Sequence, residues 1–141
     1  MPNLFRFLRR QLRLRARRQW LLGRAIRRRR SLKPVSDRTA RIRPGEILLF
    51  MVMRNEAIRL PYFLGYYRRM GVRHFLIVDN GSKDGGREYL EQQPDVSLWH
   101  AQGSYKDSRF GMDWLNWLLR RHGCGHWCLT VDPDEFLVYP H

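Results

Sequence analysis

Seven consecutive apolar residues, Ile47 to Met53, constrain this chain more than any other stretch. The run is far shorter than the roughly 20 residues a membrane-spanning helix requires, so no bilayer span is expected. A run of that length reads instead as a fully apolar strand. From it the signals alternate. Pro61 suits the first turn of a helix, the aromatics of Tyr62 to Tyr67 continue it, and Gly71 suits its C-terminal cap. His74 to Val78 reads as a second strand, and the turn-rich stretch Asp79 to Gly86 opens the next helix. Val96 to Ala101 follows as a third strand, Phe110 to Arg121 as a third helix and His126 to Val131 as a fourth strand. Alternation at this spacing predicts a Rossmann-like α/β fold, a mostly parallel sheet with helices on both faces and right-handed crossovers.

The charge is not spread evenly. Between Met1 and Arg43 stand fifteen Arg and one Lys against the single acid Asp37, a net +15, so the remaining residues carry −1 of the formal +14. A basic arm with its linker (1–43) thus precedes a nearly neutral α/β domain (44–141). Within the arm Leu4, Leu8, Leu12, Leu22 and Ile26 recur at helical spacing, and Phe5, Phe7 and Leu21 widen the stripe. Such a basic amphipathic helix suits an anionic membrane surface, with residues 1–30 lying in the interface and Phe5, Phe7 and Trp20 inserting. A solvated arm and nucleic acid are the other readings, the latter because phosphate attracts any polycation. Ser31 to Arg43, with Pro34 and no apolar periodicity, reads as the linker. The N-terminus lacks a secretory cleavage site, and although its arginines suit a mitochondrial transit peptide, it has only two Ser. Cys124 and Cys128 fit no secreted disulfide framework, so a cytoplasmic protein, peripheral on the inner face of the membrane, is expected.

Three carboxylates, Asp132, Asp134 and Glu135, follow the fourth strand directly. Ligands collect at the carboxyl-end rim of open α/β sheets, and hard divalent cations seek such oxygen ligands, commonly together with substrate phosphates. Side chains two apart on an extended segment point the same way, ~6 to 7 Å from each other, so Asp132 and Asp134 can address one ion directly or through its water. Pro133 holds Asp132 extended. Glu56 and Asp79 also lie just past strand ends, so a parallel sheet gathers all these acids along one rim.

Taken together, Arg54-Asn55-Glu56, Asp79-Asn80-Gly81-Ser82 with Asp84, and Asp132-Pro133-Asp134-Glu135-Phe136 resemble the glycosyltransferase family 2-like proteins of the GT-A fold. The resemblance covers roughly Glu46 to His141. It implies that Asp79 contacts the uracil or ribose of a nucleotide-sugar donor, a UDP-sugar above all, with Arg54, Asn55, Glu56 and Asn80 in the same pocket. It implies further that Asp132 and Asp134 hold a Mn²⁺ or Mg²⁺ ion bridging the donor diphosphate, with Glu135 as an additional ligand. Lys106 and Arg109 fall where basic groups would assist the diphosphate. The family's catalytic base and acceptor half lie well beyond the Asp-x-Asp strand, so the catalytic base is unknown here and the chain is expected to be the donor-binding, incomplete half of the domain.

Plainer readings stand beside these. Asp132 and Asp134 also suit an acidic turn, Asp79 to Gly86 a plain loop, and Arg54 to Glu56 ordinary surface polarity. His122, Cys124, His126 and Cys128 alternate too strictly to wrap a tetrahedral zinc ion. Haloacid dehalogenase-type hydrolases carry their Asp-x-Asp pair after the first strand rather than the fourth, and no Gly-x-Gly-x-x-Gly follows the first strand as dinucleotide binding requires. Nucleotidyl transfer on a similar fold and a non-catalytic polybasic protein are the remaining alternatives.

Overall fold

The computed structural model describes residues 3–138. Its elements are helix α1 (Asn3–Arg28), strand β1 (Leu32–Ser36), β2 (Ile47–Met53), α2 (Leu60–Arg69), β3 (Val72–Asp79), α3 (Gly86–Glu91), β4 (Val96–Ala101), α4 (Met112–His122) and β5 (Trp127–Thr130), with short 3₁₀ turns at Arg29–Ser31 and Thr39–Arg41. The strands form one sheet in the order β1-β4-β3-β2-β5. β2 pairs in parallel with both β3 and β5, and β3 in parallel with β4, whereas β1 lies antiparallel to β4. The expected Rossmann-like α/β fold is present.

Strand periodicity explains why apolar residues fill both faces. On β2, Leu49, Met51 and Met53 point to one layer, where they meet Phe63, Leu64 and Tyr67 of α2 and Leu90 of α3. The intervening Leu48, Phe50 and Val52 point the other way, onto Trp114, Leu115 and Leu118 of α4. A central strand covered by helices on both sides must be apolar at every position, which is what the seven-residue run encodes. Gly71, at φ +99°, ends α2 in the left-handed conformation that glycine adopts freely.

One segment departs from expectation. The stretch Ser31 to Arg43, read as a linker, contains the edge strand β1 and is stitched into the sheet. Leu32 pairs with Ala101 and Pro34 with Trp99. The Arg38 backbone N–H donates to Ser97 Oγ at 2.9 Å, and its guanidinium to the carbonyls of Val96 at 2.9 Å and Glu91 at 2.7 Å. The alternation that marks a strand is missing because only Leu32 of these five residues is buried, and an edge tolerates Pro34. The arm, in turn, is docked at its C-terminal end: Ala25 is buried, and Arg24 pairs with the buried Asp113 of α4 at 3.2 Å. The third helix starts at Met112 rather than Phe110, because Arg109, Phe110 and Gly111 all have positive φ.

Candidate functional site

The chain runs β2, β3, β4 toward one edge of the sheet and then returns to place β5 on the other side of β2. That reversal leaves a crevice at the carboxyl ends of β2 and β5, the position at which open α/β sheets bind ligands. A cleft of about 270 Å³ lies there. Met53, Arg54 and Glu56 line it from the end of β2, Asn80 from the end of β3, Tyr105 from the loop after β4, and Asp132, Pro133 and Asp134 from the end of β5. Of the sequence-predicted site residues, the structure therefore gathers Arg54, Glu56, Asn80, Asp132 and Asp134.

The acidic turn is held from behind. Phe136 packs among Tyr62, Phe63, Tyr66 and Tyr67 of α2, with ring centroids 5.1 to 6.3 Å apart. The Tyr66 hydroxyl donates to the Leu137 carbonyl at 2.6 Å and the Tyr67 hydroxyl to the Glu135 carbonyl at 3.0 Å. Across the turn itself, the Asp132 N–H donates to Glu135 Oε2 at 3.2 Å and the Glu135 N–H to the Asp132 carbonyl at 3.0 Å. Glu135 thus closes the turn and is not among the residues lining the cleft. Partial desolvation, reinforced by the negative charges of Glu135 and Asp134, pushes the Asp132 carboxyl above its ordinary range. Among the described residues neither Asp132 nor Asp134 has a salt-bridge partner.

Asp79 is arranged in the opposite way. Its side chain is fully buried and does not line the cleft. Oδ2 accepts from Arg87 Nε at 2.8 Å and pairs with Arg87 Nη2; Oδ1 accepts the Ser82 N–H at 2.9 Å. His100, opposite Asp79 in the β3–β4 register, places Nδ1 3.6 Å from Oδ2. Burial alone would raise this carboxyl, but the Ser82 hydrogen bonds and the Arg87 guanidinium outweigh burial and hold it below the usual range. Asp79 was expected to meet the nucleotide; here its oxygens are taken up by Ser82 and Arg87. The sequence pattern does not single out Arg87. Its only signal is a cation one residue into the helix that follows Asp79.

Asn55 and Asp84 also serve the scaffold. The Asn55 N–H donates to Ser82 Oγ at 2.9 Å, and Asn55 Oδ1 accepts the Lys83 N–H at 2.9 Å. Asp84 accepts the N–H groups of Ala57 at 2.8 Å and Gly86 at 3.1 Å. These bonds clasp the loop after β2 to the loop after β3, and Asn55 adopts φ +56°, a left-handed conformation that Asn tolerates better than most residues. Glu56 lines the cleft but pairs with Arg59.

Neither Lys106 nor Arg109 lines the cleft, although both were expected near a diphosphate. Arg109 instead forks onto Asp113 Oδ1, with its Nε at 2.8 Å and Nη2 at 2.6 Å. Lys106 is exposed in the same turn. The loop's contribution is Tyr105, whose ring meets Phe110 edge-on at 5.7 Å and whose carbonyl accepts from Ser108 Oγ at 2.8 Å. Nothing in the sequence pattern distinguishes Tyr105 from any other aromatic in a loop.

No group of three or more His, Cys, Asp or Glu side chains is arranged to enclose a metal among the described residues. The donor set nonetheless suits a cation with an open coordination sphere. Asp132 and Asp134 offer hard oxygen ligands, and their mutual repulsion with Glu135 is relieved by positive charge.

No protein-family model matches the chain. Over 97 residues it is 29% identical to a glycosyltransferase family 92 protein of Oryza sativa subsp. japonica, an overlap of 63% of this chain and 15% of that protein. The chain therefore spans a small part of that relative. The similarity supports a glycosyltransferase-like relationship and does not single out family 2 or the GT-A fold.

Proposed function

We propose that this chain is the donor-binding part of a metal-assisted glycosyltransferase that takes a nucleoside diphosphate sugar. The observation that carries the reading is the pair Asp132 and Asp134, set in the cleft at the sheet's reversal point and without a salt bridge among the described residues. An acid pair that the fold backs with Phe136 and leaves without a salt bridge, the Arg59 guanidinium acting on Asp134 only at longer range, suits a ligand that brings positive charge with it.

In this reading Asp132 and Asp134 hold a Mn²⁺ or Mg²⁺ ion together with the donor diphosphate. When bound, such an ion supplies Lewis-acid stabilisation of the charge that grows on the departing nucleoside diphosphate. The chain's own groups do the positioning. Arg54, exposed at the cleft mouth, offers a guanidinium fork to phosphate oxygens. Tyr105 offers an aromatic face and a hydroxyl, and Asn80 a carboxamide with both donor and acceptor character. Asp79 acts indirectly, by fixing the Asn80–Ser82 turn through its bond to the Ser82 N–H. The sugar donor is taken to be a UDP-sugar; the acceptor and the catalytic base are not assigned to residues of this chain.

Calorimetric titration of UDP-glucose with and without MnCl₂ tests the reading. Binding is expected to require the metal and to weaken on the order of tenfold in Asp134→Asn, a loss of ~1.4 kcal/mol. Metal-independent binding, or unchanged affinity in that variant, overturns the metal role; absence of nucleotide binding at any metal concentration overturns the donor role.

A further inference from the structure

We propose that α1, together with the groove it forms against α4, is a docking surface for an anionic lipid bilayer. The helix carries ten arginines and no acid. Only its C-terminal end is engaged with the domain: Ala25 is buried, whereas Phe5 is 81% and Leu12 63% exposed. Phe5, Leu8, Leu12, Ala16 and Trp20 follow one another at three- and four-residue intervals, forming a line that lies on the face opposite Ala25. No helix among the described residues is long and apolar enough to cross a membrane, so this surface is suited to lying in the interface plane.

The groove adds a specific feature to the general charge. It encloses about 620 Å³ between the two helices, with Leu21, Leu22 and Ala25 as its floor and Arg15, Arg18 and Arg120 among its walls. None of these three guanidiniums has a salt bridge among the described residues, in contrast to Arg24, which is fixed on Asp113. Guanidinium forks match phosphate oxygens, and an apolar floor beside them matches the glycerol and upper acyl carbons of a phospholipid. Arg15, Gln19 and Leu22 stand on the flank of α1 between the exposed apolar line and Ala25, so one wall of the groove adjoins that line while its floor faces α4. Between the aromatic ends Phe5 and Trp20 the line is aliphatic, with Leu8, Leu12 and Ala16 offering no stacking face to bases, and an unbroken apolar stripe beside arginines favours lipid over nucleic acid as the occupant.

Flotation of the full chain with vesicles of phosphatidylcholine mixed with phosphatidylglycerol, compared with phosphatidylcholine alone, tests the proposal. Binding only to the anionic vesicles is expected, falling as salt is raised. Replacing Arg15, Arg18 and Arg120 together by Gln is expected to lower vesicle affinity about a hundredfold. A blue shift of tryptophan emission on binding is expected to be lost or much reduced in Trp20→Phe. Circular dichroism melts establish that the variants stay folded, and the salt dependence of the unmodified chain decides the question without them. Equal binding to neutral vesicles, an undiminished blue shift in Trp20→Phe, or displacement of bound vesicles by duplex DNA in less than stoichiometric amount overturns the proposal.

Discussion

β3 and β5 lie on either side of β2, and each leads into an acid at the same rim of the sheet. Asp79, after β3, is buried and held by Arg87 and Ser82. Asp132, after β5, faces a cleft with two further carboxylates beside it and no salt-bridge partner among the described residues. The folding of one corner depends on its charge being matched internally. The other corner keeps a mismatch, which its hydrophobic backing can sustain because Phe136 sits among four aromatic rings of α2. An acid at a strand end is therefore not by itself a ligand-binding group; its nearest cation decides.

The sharpest way to break this comparison is to remove each acid in turn. Asp79→Ala strands the Arg87 guanidinium, which is partly exposed, and is expected to lower unfolding free energy by about 3 kcal/mol. Asp132→Asn relieves repulsion instead and is expected to change stability by less than about 0.5 kcal/mol. Urea unfolding measures both, and equal losses would erase the distinction between the corners. Next in size, the double variant Asp132→Asn with Asp134→Asn is expected to weaken Mn²⁺-dependent UDP-glucose binding on the order of a hundredfold, ~2.7 kcal/mol by calorimetry. Asp79→Asn, measured well below its melting point, is expected to keep that metal dependence.

Phe136→Ala removes the backing of the acidic turn and is expected to cost about 2 kcal/mol, less than a fully buried Phe because this ring is only partly covered. The same variant is expected to loosen Asp132 and Asp134 and so to weaken the proposed metal-dependent binding, which the same titration measures. The smallest effect concerns pH. Because the folded Asp79 carboxyl lies below its ordinary value of 3.8, it contributes stability that is present above that pH and lost as pH falls through the folded value. The folded Asp132 carboxyl lies above 3.8, so its contribution has the opposite sign: stability present below 3.8 is lost as pH rises through its folded value. Acid titration of unfolding free energy should therefore flatten in Asp79→Asn at the low end and flatten in Asp132→Asn at the higher end.

The parts of this fold visible in the sequence are those governed by local periodicity. β2 and β4 occupy the residues expected of them, because a covered strand needs an apolar residue at nearly every position. The acidic turn was equally visible, since Asp132 to Phe136 is contiguous. What periodicity does not carry is the choice of tertiary partner. Asp79 and Arg87 are joined across a turn, Arg109 turns onto Asp113 rather than the cleft, and Asn55 clasps a loop 27 residues away. β1 was hidden for a related reason, because a strand with one buried residue and a proline has no pattern to read.

β1 also has a consequence for how the molecule assembles. It is the antiparallel member of the sheet, and its partner β4 is separated from it in sequence by β2, α2, β3 and α3. Local pairings form before distant ones, since each distant pairing must first close a long loop. The parallel β2–β3–β4 unit is thus the natural nucleus, and the edge strand arrives afterwards. It brings Ser31, whose Oγ accepts from Trp114 Nε1 at 2.9 Å and whose carbonyl accepts the Gln102 N–H at 2.7 Å. The arginine-rich helix, joined to the sheet through that strand, is accordingly expected to be among the last elements to be seated.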